Sequence, residues 1–155
     1  MFFLTSLAAS AEPMWTVTVD PLTFALGFAH VQVETAFHPR FSLYAGPSLR
    51  LYDSLLGEPA GPYRGYGAEA GLRWFFHGRA PEGGWLMARG VLAWVDSAEP
   101  GIGGYTSALA GYTWVADFGL VLAGGLGVSW FDYGPAGVGI HGVLPAAHTN
   151  VGWAF

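Results

Sequence analysis

The chain contains no cysteine and no lysine. Without cysteine there is no disulfide framework, no thiolate metal site and no cysteine nucleophile. Charge of either sign is scarce. Charged residues are 11% of the chain, against roughly 25% in an ordinary soluble domain, and the six basic residues are all arginine. The net charge of −5 leaves no basic patch, which excludes nucleic acid as a partner. Long uninterrupted apolar runs are also missing. The nearest, Phe118 to Phe131, is broken by Gly119, Gly124, Gly125 and Gly127, so no segment offers the ~18 apolar residues of a spanning helix.

What is present is unusual in the opposite sense. The chain is 52% hydrophobic and 16% aromatic, holds 24 glycines in 155 residues, and has a mean hydropathy of +0.38. That composition suits a bilayer, where only helices and closed barrels satisfy the backbone. With helices excluded, the barrel is left. A length of 155 residues fits one domain.

The C-terminal residues carry the sharpest pattern. In Thr149-Asn150-Val151-Gly152-Trp153-Ala154-Phe155, the large apolar Val151, Trp153 and Phe155 alternate with small or polar residues. Period-two alternation of this kind marks a strand with apolar surroundings on one face and a packed interior on the other. The ending resembles the C-terminal assembly signal of bacterial outer-membrane β-barrels, with Val151, Trp153 and Phe155 in the signal positions.

Eight strands are expected along the chain. The first covers about Thr16 to Phe28, with Asp20-Pro21 as a kink or bulge. The second is Val31 to Phe37 and the third Phe41 to Tyr52. The fourth, Arg64 to Phe76, alternates most cleanly: Tyr66, Ala68, Ala70, Leu72, Trp74 and Phe76 against Gly67, Glu69, Gly71, Arg73 and Phe75. The fifth is Trp85 to Val95, the sixth Tyr105 to Ala116, the seventh about Leu120 to Phe131, and the eighth about Ala146 to Phe155. Short turns at His38–Arg40, His77–Gly84 and Asp117–Gly119 alternate with longer loops at Asp53–Tyr63, Asp96–Gly104 and Asp132–Leu144. Short periplasmic turns and longer outer loops are the asymmetry of an even-stranded barrel with periplasmic termini. Two aromatic girdles are expected, Trp74, Phe76, Trp85, Trp114, Trp153 and Phe155 at the periplasmic ends and Tyr66, Trp94, Tyr105 and Trp130 at the outer ends.

At the N-terminus, apolar Met1 to Leu7 precedes Ala9-Ser10-Ala11 and then Glu12-Pro13. Residues 1–11 read as a truncated secretory signal peptide without its basic region, or as ordinary N-terminal sequence. Residues 12–155 form the single barrel domain.

The runs Asp20-Pro21-Leu22, Val33-Glu34, Arg40-Phe41-Ser42-Leu43 and Gly65 to Phe75 resemble small bacterial outer-membrane β-barrel proteins of the DUF3575 type. The resemblance covers about Val19 to Phe155. It implies an all-β, eight-stranded antiparallel transmembrane barrel and no shared reaction.

Three features bear on function. Glu34, Arg50, Glu69, Arg73 and Arg89 all fall on the inward phase of their strands. Eight strands leave an interior just wide enough to be filled by side chains, where charges must pair. The five residues therefore read as an interior charge network that plugs the barrel, or alternatively as a narrow gated ion path. A lipid A-modifying enzyme is the second alternative, but it needs a base and a nucleophile within hydrogen-bond reach. No His-x-Ser occurs, and adjacent His148 and Thr149 point to opposite faces. No two histidines have metal-ligand spacing, and no cofactor is indicated. The loops are too short to provide much area for a specific protein partner. A soluble barrel would need a charged outer face, whereas these few charges sit on the small-residue face. The sequence thus points to a non-enzymatic barrel in the bacterial outer membrane. Its partners would be outer-membrane lipids and lipopolysaccharide, with the barrel-assembly machinery acting on the C-terminal strand.

Overall fold

The computed structural model describes residues 14–25, 27–50, 64–96, 100–133 and 140–155. The residues expected to form a signal peptide, 1–11, and the Asp53–Tyr63 loop lie outside them. The elements are β1 (Trp15–Val19), α1 (Pro21–Ala25), β2 (Phe28–His38), β3 (Phe41–Arg50), β4 (Arg64–Arg79), β5 (Glu82–Asp96), β6 (Gly101–Val115), β7 (Leu120–Tyr133) and β8 (Ile140–Ala154). The eight strands pair antiparallel in sequence order, and β1 pairs β8 to close the barrel.

Strand alternation is the cause of the fold. In β4, Gly65, Glu69, Gly71, Arg73 and Phe75 are buried, while Tyr66, Ala68, Ala70, Leu72, Trp74 and Phe76 are exposed. The same phase runs through β5, where Met87, Arg89 and Val91 are buried and Leu86, Ala88 and Leu92 are exposed. Because the side-chain period is two, a slip of one residue would turn every charge outward.

The register sets the barrel's shape. Followed across the sheet from Val19, it passes through Val31 and returns through Asp132 to His141 on β8, yet Val19 itself pairs Val151, ten residues further along. With ~3.3 Å per residue and ~4.8 Å between strands, that stagger tilts the strands by about 40° from the axis. The proximal end, where β1 starts and β8 finishes, is even. Its turns are short: Pro39-Arg40, Ala80-Pro81 and Ala116–Gly119. Gly119 takes a positive φ of 99° there and donates to the Ala116 carbonyl at 2.8 Å.

The distal end is uneven. β1 stops at Val19 opposite Val151, while β8 continues from Asn150 to Ile140 with no β1 beside it. Given the stagger and tilt, the tops of β4 to β8 stand roughly 20 Å above the end of β1 along the axis. The wall is therefore notched between β8 and β2, and α1 packs into the notch against both.

Three expectations are corrected. The first strand does not run through Asp20-Pro21 to Phe28; it ends at Val19 and gives way to α1. Asp20 caps that helix, its Oδ1 accepting from the Leu22 and Thr23 amides at 3.0 and 3.2 Å, and Pro21 takes the first helical position, where no amide donor is needed. β6 begins at Gly101 and β8 at Ile140, inside stretches expected to be loops. Glycine does not interrupt a ladder made by backbone groups, and Pro145 falls where β8 is an edge, a place for a residue without an N–H. In consequence the β5–β6 connection is no longer than the Ala116–Gly119 turn.

Candidate functional site: the charged interior

The interior has two unlike sides. β5 to β7 contribute Trp85, Met87, Val91, Ala93, Val95, Leu109 and Val121, all buried. β1 to β4, the α1 segment, Arg89 of β5, and β8 contribute the buried charges and most of the buried polar residues, with Ser107, Thr113 and Ser129 added from β6 and β7. Glu34, Arg50, Glu69, Arg73 and Arg89 are all buried, and with Asp20 they make three carboxylates and three guanidinium groups among the described residues.

Arg73 is the hub. Its Nη1 donates to Glu34 Oε2 at 2.6 Å, its Nη2 to His148 Nε2 at 3.1 Å, and its Nε to Met87 Sδ at 3.5 Å. Its guanidinium also lies over two aromatic faces, 5.2 Å from the Tyr44 ring centre and 5.0 Å from that of Trp85, where stacking adds to charge pairing. Glu34 accepts further hydrogen bonds from the Ser42 hydroxyl and from Thr16 Oγ1, the latter at 3.4 Å. Trp85 anchors its own ring by donating from Nε1 to Thr113 Oγ1 at 2.9 Å.

Glycine makes room for these rings. Tyr44 pairs across strands with Gly71, where a Cβ would come within 2.3 Å of the Tyr44 ring. At Gly125 a Cβ would come within 2.5 Å of Trp85. Small inward residues are thus the complement of the large ones facing them.

Glu69 forms a second centre. It accepts from Gln32 Nε2 at 2.9 Å, faces His30 Nδ1 at 3.1 Å, and lies 3.9 Å from Arg89 Nη1. Gln32 in turn accepts from Asn150 Nδ2 at 2.8 Å. Arg89 stacks over Tyr105 at 5.2 Å, and Arg50 over Phe28 at 5.2 Å.

His148 joins the two centres to α1. Its Nδ1 is 3.1 Å from Asp20 Oδ2 and 3.2 Å from Arg89 Nη1. Because Arg73 donates to Nε2, the proton of a neutral ring sits on Nδ1 and is donated to Asp20. Asp20 Oδ1 also accepts from Thr149 Oγ1 at 2.7 Å. His148 and Thr149 face opposite sides of β8, yet one carboxylate reaches both, because Asp20 sits at the edge of β8 where β1 has ended.

Around His148 this geometry holds side chains in place, whereas at the second centre Ser48 Oγ lies 3.4 Å from Nε2 of His30, the ring whose Nδ1 faces Glu69 Oε1. The lone pair that a general base would use, on His148 Nε2, is occupied by an arginine N–H. Thr149 is engaged with Asp20 rather than with the ring.

The terminal residues lie on the outer face. Val151 and Trp153 pair with Val19 and Val17, and all three of Val151, Trp153 and Phe155 are exposed. Two aromatics expected in the girdles are instead interior: Trp85 is fully buried, and Tyr105 packs against Phe131 at 5.0 Å beneath Arg89. Both are in phase with Met87 and Ser107, which point inward; proximity to a strand end does not decide the face. Sequence reasoning also left Asp20, His30, Gln32, His148 and Asn150 out of the interior network. The signal for Asp20 was there: Asp-Pro is a helix-start pair as readily as a strand kink.

In comparison with known proteins, the chain matches no family model, no curated protein and no solved structure.

Proposed function

We propose that this protein is a small integral barrel of the bacterial outer membrane, non-enzymatic, with a structural or envelope-associated role and an interior plugged by side chains. One observation carries this reading: the polarity of the molecule is inside out. Leu126 is 71% and Leu92 64% exposed, whereas Arg73 and Glu69 are 1% and 2% exposed. In water that arrangement loses both the hydrophobic effect and the hydration of the charges. In a bilayer the apolar outer face meets acyl chains, and the buried charges, dehydrated in either setting, are offset by pairing with one another.

Dimensions support it. A strand of 15 residues such as β5, tilted by about 40°, spans ~37 Å along the axis at ~3.3 Å per residue, more than the ~25 Å apolar band of such barrels. Trp74, Phe76, Trp114, Trp153 and Phe155 are exposed near the proximal end, and Tyr66, Trp94 and Trp130 toward the distal end, a distribution that suits two interfacial girdles. On this reading the surroundings are outer-membrane lipid and lipopolysaccharide. The strand ending in Val151, Trp153 and Phe155 is the one offered to the assembly machinery, and the chain sits among the small barrels of the DUF3575 type that it resembles.

The test is folding. The purified chain should fold only in detergent or lipid and migrate faster on a gel before heating than after. A cooperative fold in plain buffer would overturn the membrane reading. Planar-bilayer recordings test the plug: the filled interior is expected to give no conductance above background, and discrete ohmic steps would favour a narrow pore.

A further inference from the structure

The notch beside β8 opens sideways, through the wall, and it leads to the charged interior. Its only described cover is α1, five residues long, or ~7.5 Å at ~1.5 Å per residue. That helix turns Leu22 and Phe24 outward, 37% and 56% exposed, and buries Thr23. Asp20 fastens it: one carboxylate caps the helix, accepts from Thr149 on β8, and accepts from His148 inside. The Leu22 amide also lies 3.1 Å from Thr149 Oγ1.

We propose that Asp20–Ala25 is a displaceable lid, and that the Asp20 carboxylate occupies the binding site for the carboxylate of a single-chain amphiphile, a long-chain fatty acid, entering laterally from the membrane. The argument is one of charge and shape. With Asp20 in place the described interior balances three carboxylates against three guanidinium groups. When the lid swings out it takes one carboxylate with it. The groups left behind, His148 Nδ1–H, the Thr149 hydroxyl and the nearby Arg89 guanidinium, are donors set for a carboxylate, and an unpaired excess of positive charge in a low-dielectric interior is costly. A fatty acid restores the balance with the same functional group. Its acyl chain leaves through the notch toward the lipid, on the side that Leu22 and Phe24 face. The bilayer supplies such a ligand from the side on which the wall is open.

This inference rests on the membrane reading, and the experiment separates the two. Because the natural chain has no cysteine, a Leu22→Cys/Thr149→Cys pair can lock the lid to β8 when oxidised and free it when reduced. The probe is the fluorescent fatty acid cis-parinaric acid, added to the folded protein in lipid nanodiscs, with its methyl ester as control. The pair lacks the Thr149 hydroxyl in both redox states, so the reduced form is the reference: it is expected to bind the acid through His148 and Arg89, more weakly than the natural chain, and the oxidised form to bind it about tenfold or more weakly still, the scale of losing a charge-assisted contact. Asp20→Asn keeps a helix cap but removes the internal competitor, and is expected to tighten binding by a similar factor. The ester should bind about tenfold more weakly than the acid. Equal binding by oxidised and reduced forms, equal binding of acid and ester, or no gain in a folded Asp20→Asn protein would each overturn the proposal. If Asp20→Asn fails to fold, the disulfide pair decides alone. A fluorophore on Leu126→Cys reports the membrane reading independently. Quenching there by brominated lipid, without a lock effect, would sink the lid and leave the membrane barrel standing. Absence of quenching would sink both.

Discussion

Arg73 and Glu34 meet at 2.6 Å inside the barrel, between two aromatic faces and away from water. Such a pair is defined more by what happens when one member is lost than by its net contribution. Glu34→Gln should leave the Arg73 charge without its carboxylate and destabilise the barrel by about 3–5 kcal/mol, while Glu34→Gln/Arg73→Met should recover much of that loss. Urea unfolding in lipid measures both. A double variant no more stable than the single would show that the two residues are not coupled.

The seat of Tyr44 on Gly71 makes a sharper steric prediction. A methyl group at position 71 meets the ring at 2.3 Å, whereas at Gly90 it meets nothing within 4 Å. Gly71→Ala should therefore cost about 1–3 kcal/mol through overpacking. Gly90→Ala should be neutral or stabilising by a few tenths, since glycine in a strand is entropically unfavourable. Equal effects at the two sites would mean that the Tyr44–Arg73 stack is not tightly packed.

Leu72, Trp74, Leu122 and Leu126 share the outward phase and are all exposed. Spin labels placed there should collide with lipid-soluble oxygen and be shielded from a water-soluble relaxant. Labels at Met87 and Leu109, which are buried, should be shielded from both. The reverse accessibility at most of the four outward sites contradicts a membrane barrel.

At the last residue, backbone and side chain can be separated. Phe155 and Trp15 exchange two backbone hydrogen bonds, at 2.9 and 3.0 Å. Phe155→Ala retains both and removes only the aromatic ring; deletion of Phe155 removes all three features. If the ring acts as an assembly signal, both changes should lower outer-membrane yield in cells, while only the deletion slows refolding of purified protein into lipid. Unchanged yield for Phe155→Ala would assign the residue to barrel closure alone.

Much of this molecule was legible because alternation is a local property. β4 and β5 could be read residue by residue, and the inward phase of Glu34, Arg50, Glu69, Arg73 and Arg89 came from the same pattern. What alternation cannot report is where pairing stops. Gly101–Gly104 and Ile140–Leu144 look like loops by composition, yet they continue strands because a neighbour supplies the ladder. Asp20 was the converse case: its partners, His148 and Thr149, are far along the chain, and only the closed register brings them together. The pairings inside the barrel were likewise beyond the sequence. Glu69 and Arg89 come no closer than 3.9 Å, while Arg73 reaches past β3 to Glu34 on β2.

The brevity of β1 has a mechanical consequence. β7–β8 is stitched from Leu120 to Tyr133, but both seams of β1 are short: it is held to β2 and to β8 only between Trp15 and Val19. The cylinder thus has a built-in line of cleavage. Thermal agitation, lateral pressure or a pulling force should part it there first, so the amides of β1 should exchange with solvent deuterium before those of any other strand.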